Sequence, residues 1–179
     1  MTAYTHPEQT IVRRILVSCR IAILDADIDA VHAVRALWDT GAMCTCISNK
    51  LVQDLGLEPE DTQTVIGANN EPFEVPVYSV QLKMGHFVIP YHRVCALPMD
   101  SASHDVIIGM DVMTKGDLAI SNYEGKTVIT FREPSICKID FVAESQKYDK
   151  MHQTWLAKKN DKCPCGSGRK WENCHGKRG

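Results

Sequence analysis

The chain has 179 residues, 44% of them apolar, and a formal net charge of −2, which suits one compact domain with a small appendage. No apolar run is long enough to span a bilayer, and the N-terminus "MTAYTHPEQT" lacks the basic-then-apolar layout of a signal peptide. A soluble, cytoplasmic protein with no membrane partner is therefore expected. The charge is unevenly spread: from Ala157 onward seven Lys or Arg face only Asp161 and Glu172, while the rest of the chain is acidic. A basic tail on an acidic body suggests two units with different partners, although a solvated terminus would carry the same charge.

From Ile11 to about Phe131 the pattern is one of short strands. "RRILVSCRIAIL" and "AVHAVRALW" are β-rich runs separated by the turn-prone "DADID". "NKLVQDLGL" has helical spacing, with Ser48 as N-cap and Gly56 as its stop. The stretch from Thr62 to Leu97 reads as strands broken at "GANN" and "MG", and Pro72, Pro76 and Pro90 argue for edge or exposed strands there. "DVIIG" is a short buried strand, "MDVMTKG" one or two helical turns closed by Gly116, and "DLAIS" with "KTVITF" a closing hairpin. Beyond Pro134, Phe141, Val142, Tyr148, Met151 and Trp155 recur at helical intervals and predict a linker helix. The expected divisions are residues 1–134, a helical linker 135–160 and a tail 161–179.

Eight cysteines divide into a crowded set, Cys163, Cys165 and Cys174, and a scattered set, Cys19, Cys44, Cys46, Cys95 and Cys137. Without a secretion signal the scattered five read as reduced, mostly buried thiols. Cys44 and Cys46 share one strand face, where a small hydrophobe fits. His32, His86, His92 and His104 show no metal-like spacing and read as surface or loop residues.

One carboxylate stands out. In "ALWDTGAMCTCIS", Asp39 follows an apolar strand directly, and a carboxylate brought inside costs several kcal/mol unless its environment compensates. This stretch resembles the active-site segment of retropepsin-like aspartic proteases, and "DVIIGMDVM" resembles the segment that precedes their short C-terminal helix. The likeness covers about Val12 to Phe131 and implies a mainly β fold: a retropepsin-like closed β-barrel, half of an acid protease, with short helices. It implies Asp39, Thr40 and Gly41 as the catalytic set. Ala42 and the flap-like Ile66, Gly67 and Ala68 are implied as substrate-binding residues.

Such chemistry needs two carboxyls sharing a proton, one to activate water and one to protonate the carbonyl. The chain supplies one Asp-Thr-Gly, so the resemblance implies a homodimer with Asp39 from each subunit and no catalytic cofactor. Ala42 stands where related enzymes place a hydroxyl that steadies the ionised dyad, so activity at mildly acidic to near-neutral pH is expected. Asp111 opens a predicted helix and reads as a capping residue rather than the second catalytic aspartate; Asp105 reads as a turn or strand-end residue. Trp38 is bulkier than its family counterparts and the flap "VIGANNEPF" is not glycine-rich. Those departures point to altered specificity or to a fold that cleaves poorly.

The tail "CPCGSGRKWENCHG" resembles the SEC-C motif: Cys-x-Cys, eight residues, then Cys followed by His. The resemblance implies that Cys163, Cys165, Cys174 and His175 bind a structural Zn2+ with four protein ligands. With so few apolar residues nearby, metal binding would supply the folding energy of the tail. Tails of this kind serve for docking, to a protein-export chaperone or a ribosome, and the +5 charge with Trp171 would also suit RNA. The leading reading is a homodimeric aspartic endopeptidase acting on peptide or protein substrates. Its alternatives are a weakly catalytic dimeric adaptor presenting the tail, and a nucleic-acid-binding zinc protein with an unrelated barrel.

Overall fold

The computed structural model describes residues 1–67, 71–99, 103–156, 160–163 and 165–175. Two compact units divide the chain, Met1–Ile136 and Cys137–Gly179. In the first, the strands are β1 (Thr2–Pro7), β2 (Leu16–Ala22), β3 (Val34–Trp38) and β4 (Cys46–Ser48). Helix α1 (Asn49–Leu55) follows, then β5 (Asp61–Ile66), β6 (Pro72–Met84), β7 (Phe87–Leu97) and β8 (Val106–Ile108). A single-turn helix α2 (Met110–Met113) leads into β9 (Asp117–Ser121) and β10 (Val128–Glu133). The second unit holds α3 (Phe141–Leu156) and the cysteine-rich tail.

Strands β2-β3-β8-β4-β7-β6 pair in that order, and β2 pairs back onto β6, which closes a six-stranded barrel. Strand β5 hangs from β6 as the free arm of a hairpin, from Asp61 opposite Val77 to Ile66 opposite Pro72. A separate three-stranded sheet, β1-β10-β9, completes the unit. The fold is mainly β, a closed barrel with short helices, as the Asp-Thr-Gly context implied.

Local signals explain the helix. Ser48 Oγ accepts the Leu51 N–H at 3.1 Å, and the chain leaves α1 through Gly56 at φ 62°, the pairing of hydroxyl cap and glycine stop that ends most short helices cheaply. The barrel strands bury Val17, Ile21, Val80, Leu82 and Ile108 on inward positions. At one end Trp38, Phe87 and Phe131 pack as an aromatic group, with centroids 5.6 Å (Trp38–Phe131) and 5.1 Å (Phe87–Phe131) apart. Trp38 is thus a core residue, and its bulk is taken up by the barrel interior rather than by the Asp39 turn.

Two expectations change. Strand β1 lies in the polar N-terminus, where only Tyr4 and His6 turn partly inward; an edge strand with one wet face carries too little apolar alternation to be read from sequence. Pro76 and Pro90 do not mark an edge, because β6 and β7 each pair on both sides, although Pro90 itself is exposed. Pro90 is instead accommodated by a bulge: Val80 pairs with His92 and Leu82 with Ile89, leaving Pro90 and Tyr91 opposite Gln81.

Candidate functional site

Asp39 lies at the C-terminal end of β3, where its N–H donates to the Ile108 carbonyl at 3.1 Å. The chain then turns: the Ala42 N–H donates to the Asp39 carbonyl at 3.2 Å, and the Gly41 N–H donates to Asp39 Oδ1 at 2.8 Å. The last bond fixes the carboxyl plane and leaves Oδ2 free of the turn. A Cβ on Gly41 would stand 3.2 Å from Oδ1, so glycine keeps this hydrogen bond undistorted. Asp39 and Ala42 are half-buried, whereas Thr40 and Gly41 are exposed. The structure therefore presents the Asp-Thr-Gly turn outward, on a rigid strand end.

The loop behind the turn is pinned to the start of α2. The Met110 N–H donates to the Ala42 carbonyl at 2.8 Å and the Asp111 N–H to the Met43 carbonyl at 3.2 Å. Gly109 makes that approach possible, since a Cβ there would fall 2.5 Å from the Cys44 carbonyl carbon. Asp111 then reaches across. Its Oδ2 accepts the Thr45 N–H at 2.9 Å and its Oδ1 the Thr45 hydroxyl at 2.8 Å. Oδ1 also accepts the Val112 N–H at 2.9 Å. Asp111 therefore does more than cap its own helix, for which Gly109 is the N-cap residue without a side-chain bond. It is a strut between two segments, and its committed oxygens make it no candidate for a second catalytic carboxylate.

His92 is the correction among the histidines. It is buried on β7, its Nε2 lies 2.9 Å from Asp111 Oδ2, and its Nδ1 lies 3.3 Å from Lys115 Nζ. Because the ammonium can only donate, Nδ1 is the acceptor and Nε2–H donates to the carboxylate. Burial pushes the Asp111 carboxyl up, but the hydrogen bonds from His92 and from the Thr45 N–H and hydroxyl outweigh it, and the pKa is lowered. Asp105, at the entry to β8, accepts the Ser48 hydroxyl at 3.3 Å, a strand-end role.

Ile66 ends β5 and Gly67 follows it, at the turn end of the β5–β6 hairpin. Ile66 is exposed, and the Gly67 N–H donates to the Glu71 carbonyl at 3.2 Å. Ala68 lies outside the described residues. Among the described residues no hydrogen bond joins this hairpin end to the Asp39 turn. Nothing in the spacing marks Thr45, and His92, expected at the surface or in a loop, is buried: the Pro90–Tyr91 bulge shifts the in-out alternation of β7 and turns His92 inward, a change of phase that spacing alone does not reveal.

In the tail, the donor atoms of Cys163, Cys165, Cys174 and His175 all lie within 4.8 Å of one another. Cys165 Sγ is 3.6 Å from Cys174 Sγ, and His175 Nδ1 is 3.2 Å from Cys163 Sγ and 3.3 Å from Cys174 Sγ. A zinc–sulfur bond of about 2.3 Å places tetrahedral sulfurs about 3.8 Å apart, so the donor set fits that ion. A knuckle backbone makes the fit: the Gly166 N–H donates to the Cys163 carbonyl at 3.2 Å and the Cys163 N–H to the Arg169 carbonyl at 2.7 Å. Gly166 and Gly168 take φ values of 79° and 72°, which only glycine adopts freely. The Trp171 and His175 rings stack at 6.2 Å.

Residues 24–112 match the family model described as aspartyl protease, and residues 160–177 match the SEC-C motif. No curated protein sequence gives a significant match. Among solved structures the chain is similar to a retropepsin-like aspartic protease from Rickettsia conorii, at 13% identity and TM-score 0.50, over 73% of this chain and 92% of that one. It is also similar to the EIAV protease complexed with the inhibitor HBY-793, at 17% identity and TM-score 0.41, over 56% of this chain and 86% of that one. The retroviral protease-like domain of Ddi1 from Leishmania major matches at 14% identity and TM-score 0.38, over 61% of this chain and 82% of that one.

Proposed function

We propose that this chain, whose residues 24–112 match the aspartyl protease model and 160–177 the SEC-C motif, is a homodimeric aspartic endopeptidase, cytoplasmic, with a zinc-stabilised docking tail. The observation that carries this reading is the Asp39 carboxyl, held by the Gly41 N–H on an outward-facing strand-end turn. Asp111 and Asp105 are both engaged elsewhere. A second chain is then the source of the second carboxyl, with Asp39 of each subunit meeting at a two-fold axis.

In that dyad the two carboxyls share one proton, since like charges a few ångströms apart resist double ionisation. The ionised carboxylate takes a proton from water as the oxygen attacks the peptide carbonyl. The protonated partner gives its proton to the carbonyl oxygen. Gly41 orients the carboxyl, Thr40 links the two turns, and Ala42, Ile66, Gly67 and Ala68 contact substrate. Ala42 offers no hydroxyl to stabilise the ionised dyad, which favours activity between mildly acidic and neutral pH. In the tail, zinc held by Cys163, Cys165, Cys174 and His175 would supply folding energy and no open coordination position. The surrounding Lys162, Arg169 and Lys170 suit an acidic protein surface or the ribosome.

Cleavage of a diverse peptide library, read by mass spectrometry, tests the reading. Wild type should cut and Asp39→Asn should fall to background while sedimenting as the same dimer. Identical products from both proteins would remove Asp39 from the chemistry. A monomer that cleaves would refute the shared dyad, and a dimer that cleaves nothing would favour the adaptor.

A further inference from the structure

Three thiols converge on the loop that begins at Asp39. Cys44 Sγ lies 3.8 Å from Cys95 Sγ and 3.9 Å from Cys46 Sγ. They sit in the smaller of the two apolar clusters, walled by Val65, Val75, Val77 and Ile107. Cys46 and Cys95 are 5% and 2% exposed, but Cys44, on the bend before β4, is half-buried and open to a small solute. We propose that Cys44 and Cys95 form an oxidation site, a thiol pair that a hydroperoxide converts into a disulfide tying the Asp39 loop to β7.

Geometry selects this pair over its neighbours. Cys44 and Cys46 are separated only by Thr45, whose N–H and hydroxyl are both held by Asp111. A bridge between them would have to distort that fixed residue. Cys95 belongs to another strand already locked beside the loop: its N–H donates to the Thr45 carbonyl at 3.1 Å, and Cys46 is its register partner. The two sulfurs already lie 3.8 Å apart, and Cys44 sits on a bend outside the paired strands. The thiols also differ in readiness. Contact with the Cys46 thiol, against the opposing effect of burial, holds Cys44 below the usual thiol range, and burial pushes Cys95 above it. Cys44, the thiol a solute can reach, is the attacking sulfur and the buried Cys95 the resolving one.

The chemistry balances in two steps. The Cys44 thiolate attacks the peroxide; a sulfur–oxygen bond forms, the oxygen–oxygen bond breaks, and the alkoxide or hydroxide leaves with a proton from solvent. Cys95 sulfur then attacks the sulfenic sulfur; the disulfide forms, hydroxide departs, and it takes the Cys95 proton as water. Overall two thiols and one hydroperoxide give one disulfide, one alcohol or water, and one further water.

Ala42, Met43 and Thr45 are pinned to Met110, Asp111 and Gly109, so a bridge to β7 pulls on the same loop that holds Asp39. The consequence for cleavage rests on the proposed peptidase function; the bridge itself does not. Full-length protein is treated with hydrogen peroxide, its remaining thiols alkylated, and the tryptic peptides mapped. A linked pair of residues 36–50 and 94–115, two hydrogens lighter than the separate peptides, should appear in wild type and in Cys46→Ser and vanish in Cys44→Ser. Oxidised protein should lose cleavage and regain it with a thiol reductant. Absence of the linked pair in treated wild type, or its persistence in Cys44→Ser, overturns the proposal. Full cleavage by bridged protein overturns the control of activity. Reduced protein that never cleaves counts against the peptidase reading, and the peptide map still decides the bridge.

Discussion

Asp111 accepts both the backbone N–H and the side-chain hydroxyl of Thr45, at 2.9 and 2.8 Å, across 66 residues of sequence. This pair fastens the loop carrying Asp39 to the turn that follows β8. His92 closes the arrangement from a third strand, at 2.9 Å from the same carboxylate. The site is rigid because three non-adjacent segments converge on one side chain.

Removing that side chain should be costly. Asp111→Ala leaves the Thr45 N–H, the Thr45 hydroxyl and the His92 N–H without their acceptor. A buried donor left unpaired costs about 1–3 kcal/mol, and neighbouring losses overlap, so a total of roughly 2–4 kcal/mol is expected. Urea denaturation of the full-length protein measures it. A change below roughly 0.5 kcal/mol, the size of an ordinary surface substitution, would refute the strut.

The same carboxylate sets an acid limit. Its pKa is lowered on folding, so its contribution is complete above the unfolded carboxylate value of about 3.9 and disappears as pH falls through the lower folded value. Stability curves for wild type and Asp111→Asn should therefore converge as the pH is taken down through that range. Curves that stay parallel from neutral pH to acid would show that Asp111 is not linked to folding.

Gly109 offers a steric test. In Gly109→Ala the new methyl would fall 2.5 Å from the Cys44 carbonyl carbon and 2.6 Å from its oxygen, and both belong to backbone that cannot rotate away. The loop must move, with a loss of at least roughly 1–3 kcal/mol by analogy with overpacked cores. A melting temperature equal to wild type would show that the close approach between the turn and α2 is dispensable.

The tail should respond to metal independently of the barrel. Thiolate ligands compete with protons, so zinc affinity at Cys163, Cys165, Cys174 and His175 should weaken as pH falls. Chelation or Cys174→Ser should release the segment after about Asp161 while Met1–Ile136, with its own core, stays folded. Peptide cleavage should survive chelation and binding of a larger partner should not. Hydrogen exchange resolved by segment, with metal analysis, reads both. An ordered tail in zinc-free protein, or an unfolded barrel on chelation, would contradict this division.

What the sequence by itself determined is local in origin. Ser48 and Gly56 bound α1 because a hydroxyl cap and a left-handed stop act within one helical turn. The tail donors were legible because chelate spacing is a property of a short stretch, and the knuckle brings them together. The Asp-Thr-Gly at a strand end was visible because an apolar run stopping at a carboxylate is unusual in any chain. The tertiary structure decided whatever depends on pairing between distant strands. Strand β1 takes its place by pairing with β10, Trp38 packs on Phe131 of that same distant strand, and His92 faces Asp111 because a bulge at Pro90 and Tyr91 shifts β7. Cys44 and Cys95 meet for the same reason, since strand register is set by the whole barrel and leaves no trace at a single position.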